Sequence, residues 1–271
     1  EWYYGPQKWM MNSLNIAGLK KTKVYDKLGI TLAHQFFEES RHDRDFRDVT
    51  LVNRTEQVDV LSANLDFEKQ LPKDQSLFYG LEVLLNQVGS EANNQNITTG
   101  EKTAAATRYP DGARWNSYAA YLSYSNSLND QLTFQGGLRY NLVTAETSFD
   151  TTFYPFPFLN ADLNTGALTG SAGLTYETAD NMLFYLNLST GFRAPNIDDL
   201  GKVFDSEPGS VVVPNPNLKP EYAYNGEFGI RKRFNGFLEV DVSVFYTLLD
   251  DALVRRDYQL NGKDSIMYDG Q

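Results

Sequence analysis

The chain has 271 residues and no cysteine, which is room for one large or two ordinary domains and leaves out disulfides, Cys-rich metal sites and thiol chemistry. Thirty-five Asp and Glu against 24 Lys and Arg give a formal charge of −11, the wrong sign for neutralising a phosphate backbone, so nucleic acid is not an expected partner. Aromatics reach 14% at a mean hydropathy of −0.44. No apolar run approaches the ~18 residues of a membrane helix, whereas the strands of a membrane barrel alternate and average out polar.

Strict alternation, the period of a two-faced strand, predicts ten strands in chain order. They fall at roughly 8–18, 24–38, 57–70, 76–88, 114–127, 132–146, 166–177, 182–191, 220–233 and 237–249. In the fourth, Leu77, Tyr79, Leu81, Val83 and Leu85 oppose Phe78, Gly80, Glu82, Leu84 and Asn86. In the last, Leu238, Val240, Val242, Val244, Tyr246 and Leu248 oppose Phe237, Glu239, Asp241, Ser243, Phe245 and Thr247. Several of these segments reach or exceed the ~9–11 residues that cross a bilayer at a tilt. An eleventh strand is expected to begin after the Asn261-Gly262 turn.

The connectors alternate too. Short links stand at Lys20-Lys21-Thr22, Pro72-Lys73-Asp74, Asn129-Asp130, Thr178-Ala179-Asp180-Asn181 and Asn235-Gly236. Between them lie long polar stretches at 39–56, 89–113, 147–165 and 192–219. Short turns at one end and long loops at the other are the pattern of an outer-membrane barrel. A soluble sandwich or lipocalin-like barrel alternates as well. Three features favour the membrane: an apolar face uninterrupted by charge, an opposite face carrying Glu82, Arg139, Glu227, Glu239 and Asp241, and enough aromatics for interfacial girdles.

Residues 190–230 are more specific. They contain Thr190-Gly191-Phe192-Arg193-Ala194-Pro195-Asn196, then Asn215-Pro216-Asn217-Leu218-Lys219-Pro220-Glu221, then Asn225-Gly226-Glu227-Phe228-Gly229-Ile230. Tyr79-Gly80-Leu81-Glu82 and Thr107-Arg108-Tyr109-Pro110-Asp111-Gly112 accompany them. This set resembles the TonB-dependent receptors of Gram-negative outer membranes. The resemblance implies a 22-stranded antiparallel transmembrane β-barrel, an N-terminal plug, energy supplied through TonB, and import of scarce nutrients such as ferric siderophores, haem or cobalamin. Residues 1–271 are accordingly expected to be a partial barrel domain surrounded by lipid, about 10–11 strands, with plug, signal peptide and C-terminal strands outside this chain.

The motif residues also have a local reading. Gly191 is expected to end a strand, and Pro195 forces Ala194 out of the helical region. Asn196 then caps one turn through Asp198, Asp199 and Leu200. The prolines around Asn215 and Asn217 fix the backbone while the Asn side chains bond it. Both motifs therefore read first as loop geometry at the outer rim, with ligand contact by Arg193 as the second reading.

No catalytic, phosphate-loop or metalloprotease motif occurs, so no enzyme activity, cofactor or metal site is expected. His34 is placed on the outer face of the second strand or near its rim, and His42 in a charged loop; the acidic loop 43–48 lacks EF-hand spacing. Haem receptors of the family carry a histidine between the two motif boxes, and residues 196–214 have none. A ferric siderophore is the first expectation, with Arg108, Tyr109, Tyr154, Phe156, Phe158 and Arg193 as capture candidates. Aromatic planes pack on conjugated chelators, and arginine offsets their negative charge. For 153–158, self-packing of the loop is the alternative. A haem or cobalamin receptor, a passive porin and a soluble binding β-protein stay as other readings.

Overall fold

Ten alternating segments become ten positions in one open antiparallel sheet, in a computed structural model that describes residues 1–153, 158–201, 212–213, 215, 217–234 and 236–265. The strands are β1 (Trp2–Tyr4), β2 (Lys8–Leu19), β3 (Lys27–Asp43), β4 (Thr50–Leu71), β5 (Gln75–Asn96), β6 (Lys102–Ala104), β7 (Arg114–Ser127), β8 (Leu132–Glu146), β9 (Leu163–Glu177), β10 (Met182–Arg193), β11 (Glu221–Phe234) and β12 (Leu238–Asp250). A single five-residue helix, α1 (Ile197–Gly201), lies between β10 and β11 among the described residues. Strand order follows chain order from β3 to β12, with β6 a short return against β5. Strands β1 and β2 share one edge position, pairing the two ends of β3.

Register separates the two faces. Ile16, Ile30, Leu65, Leu81, Ala120, Tyr140 and Leu168 form one cross-strand row. The neighbouring row on the other face is Thr31, Asn64, Glu82, Ala119, Asn141 and Ala167. The apolar face is bare, with Leu81 53% and Leu168 61% exposed. A soluble sandwich would cover such a face with a second sheet; among the described residues none does so. The buried cluster sits on the polar face instead, at the long-loop end, around Val143, Ala145, Leu163 and Leu200.

The short turns take the geometry their residues allow. Lys73 and Asp74 both adopt positive φ, 63° and 54°, the twist that matches a two-residue hairpin. Gly236 does the same at 78°. Asn261 and Gly262, at 52° and 74°, close a tight turn across the Leu260–Lys263 bridge, while the expected strand beyond it and the chain end lie outside the described residues.

Two stretches expected as loops are largely strand. Pairing of β3 with β4 continues to Asp43 and Val52, so 39–56 shrinks to a connection at 44–49. Strand β5 likewise runs to Asn96, through the first part of 89–113. Strands β4 and β5 are each 22 residues long, about twice what a bilayer crossing needs. Their outer parts are held by polar cross-strand pairs: Arg54–Asp43 at 2.8 Å, Gln57–Glu38 at 2.9 Å and Asn53–Asn93 at 3.1 Å. Apolar alternation stops there, but backbone pairing does not. Gly191 is also interior to β10, which reaches Arg193 opposite Glu221.

Candidate functional site

The Phe192-Arg193-Ala194-Pro195 segment turns from the end of β10 onto the polar face. Arg193 forks between Glu221 at 3.0 Å, the first residue of β11, and Asp199 at 2.6 Å in α1. Asn196 Oδ1 accepts from Asp199 N, and Asp199 Oδ2 accepts from Asn196 N, both at 3.0 Å. This is a reciprocal cap, which satisfies two N–H groups that a one-turn helix leaves open. Trp115 Nε1 donates to Pro195 O at 3.0 Å. Ile197 and Leu200 are thereby driven into the cluster of Val88, Ala113, Val143, Ala145 and Leu163. Asn215 Oδ1 accepts from Asn217 N at 3.0 Å, and Leu218 packs on the same cluster; Pro214 and Pro216 lie outside the described residues. The motif residues thus lock the base of a long loop onto the sheet.

The 105–113 segment folds onto this face beside the lock. Ser90 N donates to Asp111 Oδ1 at 2.9 Å, and Tyr109 Oη donates to Asp198 Oδ1 at 2.9 Å, joining it to α1 across 89 residues of sequence. Burial pushes the Tyr109 phenol up to about 12; Arg108 opposes the rise and Asp198 adds to it. The Arg108 guanidinium stands 5.0 Å from the Tyr109 ring centroid.

The outer ends of β1, β3 and β4 complete a wall. On the polar face Arg41 lies 5.1 Å from the Tyr4 ring and pairs with Glu39 at 2.7 Å. Trp2 packs edge-on against Tyr4 at 4.8 Å. Arg54 pairs with Asp43. Glu56, opposite Glu39 on β3 and Ser90 on β5, is 6% exposed, and neither carboxyl oxygen has a hydrogen-bond partner. Arg108 Nε is also buried without a partner. Three guanidiniums and three aromatic rings therefore gather on one face of a chain whose net charge is −11. Planar cations interleaved with aromatic planes suit a conjugated anion.

Of the residues expected to capture ligand, Arg108 and Tyr109 belong to this wall. Arg193 belongs to the lock. Phe158 packs edge-on against Phe149 at 5.6 Å in a separate cluster with Ala161 and Leu260. Tyr154 and Phe156 lie outside the described residues. Trp2, Tyr4, Arg41, Arg54 and Glu56 were not singled out by periodicity; only Arg41 carries a local signal, the odd-numbered run Glu39, Arg41, Asp43, which strand spacing puts on one face. His34 sits on the apolar side of β3 opposite Leu61, 3.1 Å from Asp59, and His42 bonds Asn53 at 2.6 Å. Further down the polar face Arg139 pairs with Glu82 at 2.5 Å, and Tyr121 bonds Asp66.

The family model of the TonB dependent receptor-like β-barrel matches residues 5–265. The vitamin B12 transporter BtuB of Vibrio vulnificus is 34% identical over 85 residues, 31% of this chain and 12% of that protein. The hemoglobin-haptoglobin utilization protein B of Neisseria meningitidis serogroup C is 32% identical over 108 residues, 38% of this chain and 13% of that protein. Among solved structures, the copper transporter OprC superposes with a TM-score of 0.76 at 16% identity, covering 91% of this chain and 39% of that one. The chain therefore spans well under half the length of each of these proteins.

Proposed function

This chain belongs to the TonB-dependent receptor β-barrel family, and from that premise we propose that it is the cargo-capturing wall of an outer-membrane active-transport receptor whose cargo is a ferric siderophore. Its apolar face meets lipid and its polar face lines the lumen. Energy comes through TonB, contacted by a part of the receptor outside this chain. The observation that carries the cargo assignment is Arg108: among the described residues it has no carboxylate paired with it, it lies against Tyr109, and it acts on the same carboxyl, Glu56, as Arg41 does. An anionic, conjugated chelate offers both the charge and the plane that this arrangement lacks.

Haem or cobalamin uptake by the same fold is the second reading, favoured by the sequence similarity to the Vibrio and Neisseria proteins. Growth of a deletion strain on single iron sources separates the two. Loss of growth on a ferric siderophore alone is the expected result. Unchanged growth on every ferric siderophore, with loss confined to haem or cobalamin, would replace the siderophore. Family membership leaves the passive porin and the soluble β-protein without support.

A further inference from the structure

We propose that Glu56 is a proton-operated competitor for Arg108: neutral, it leaves the guanidinium to the cargo's anion, and ionised, it draws the guanidinium back to itself. This rests on the lumenal wall being the capture site. The carboxyl group is 6% exposed beneath the 105–113 segment, and both its oxygens lack a hydrogen-bond partner although arginine surrounds it. The charged groups acting on it are Glu39 and Arg41 from β3, Arg54 from its own strand and Arg108 from the overlying segment. Arg41 and Arg54 are engaged with Glu39 and Asp43. Arg108 is the cation left to choose, resting on Tyr109 with a buried Nε that bonds nothing.

An ionised, buried and unbonded carboxylate next to an unbonded guanidinium would be costly, since a short pairing could relieve both. With both Glu56 oxygens and Arg108 Nε buried and unbonded, the arrangement fits a neutral acid. The apolar belt on β4 covers Leu61, Ala63, Leu65 and Phe67, so Glu56 stands outside the membrane. Burial raises its pKa, opposed by Arg108 first and Arg41 next. Acidification therefore frees Arg108 and strengthens anion capture; raising the pH consumes it.

Two arms test this in the intact receptor in detergent. The first measures binding of a hexadentate ferric tris-catecholate complex, a conjugated trianion whose three arms belong to one ligand and stay on the iron near neutrality, from pH 6 to 8. Wild type is expected to bind about tenfold more tightly at the acid end, the equivalent of one pKa unit of coupling. Glu56→Gln should bind tightly at both ends with a flat profile, and Arg108→Gln weakly with a flat profile. The second arm needs no cargo: infrared titration of the protonated carboxyl band that Glu56→Gln removes. Its midpoint should move up in Arg108→Gln, because a cation that favours the ionised form is gone. A midpoint unmoved by Arg108→Gln overturns the competition, as does wild-type pH dependence retained in Glu56→Gln. Failure of every form to bind the chelate, with the midpoint shift intact, would instead overturn the siderophore assignment.

Discussion

Replacing Arg193 by Met keeps the length and stem of the side chain and removes both ion pairs that hold α1 to the start of β11. Arg193 is about half exposed, so each pair is worth roughly 0.2–1 kcal/mol after screening. Neither carboxylate is stranded by the change. Glu221 still accepts from Leu253 N, and Asp199 still accepts from Asn196 N. The expected cost of losing both is therefore about 0.4–2 kcal/mol rather than the 3–5 kcal/mol of a broken buried pair. It should fall on local opening of α1, because the sheet pairing of β10 with β11 does not depend on it. The reporter is the Leu200 amide, bonded to Asn196 O at 3.0 Å. Its hydrogen exchange in the intact receptor should accelerate about 2–30-fold. Arg193→Lys should give an intermediate value, since an ammonium cannot fork between two carboxylates as a guanidinium does. If Leu200 exchange is unchanged while cargo affinity collapses, Arg193 is a ligand contact and the lock is misassigned.

Two further perturbations address other parts of the molecule. Leu200 is 0% exposed, so Leu200→Ala should open a cavity costing up to about 3 kcal/mol and release α1 to protease, with barrel insertion unchanged; intact α1 would show that the cluster does not anchor the loop. In the short turn before β3, Asp26 is held below its ordinary value by hydrogen bonds from Lys69 and from Gln70 N. A depressed carboxylate adds stability above its unfolded pKa and loses it as pH falls through the folded one. The Gln70 amide should thus stay protected at neutral and mildly acidic pH and lose protection only below the ordinary carboxylate range. Asp26→Asn should leave it less protected at neutral pH; equal protection in the two proteins would contradict the pairing.

What could be read in advance follows from which force leaves a pattern. A continuous apolar face leaves apolar alternation, so the sheet positions of residues 76–88, 132–146 and 237–249 were legible. Cross-strand polar pairing leaves alternating charges and amides instead. Residues 39–43, 50–56 and 89–96 therefore looked like loop while pairing as strand. The cap of α1 was legible because Asn196 and Asp199 are three residues apart and interact locally. The Arg193–Glu221 pair was not, because only sheet register joins positions 28 residues apart. Arg108 and Tyr109 were visible as a basic-aromatic loop pair. Arg41, Arg54 and Glu56 join them only once three strands are aligned.

The central claim is that the bare apolar face meets lipid and the charged face lines the lumen. The chain has no cysteine, so single cysteines can be placed from Phe78 to Leu85 on β5 and spin-labelled in the receptor in bilayers. Labels at Tyr79, Leu81, Val83 and Leu85 should be broadened by oxygen dissolved in the bilayer, while labels at Phe78, Glu82 and Leu84 should respond to a water-soluble nickel chelate or be shielded from both. A two-residue period in that phase is the predicted result. The opposite phase, or no period at all, would contradict the account.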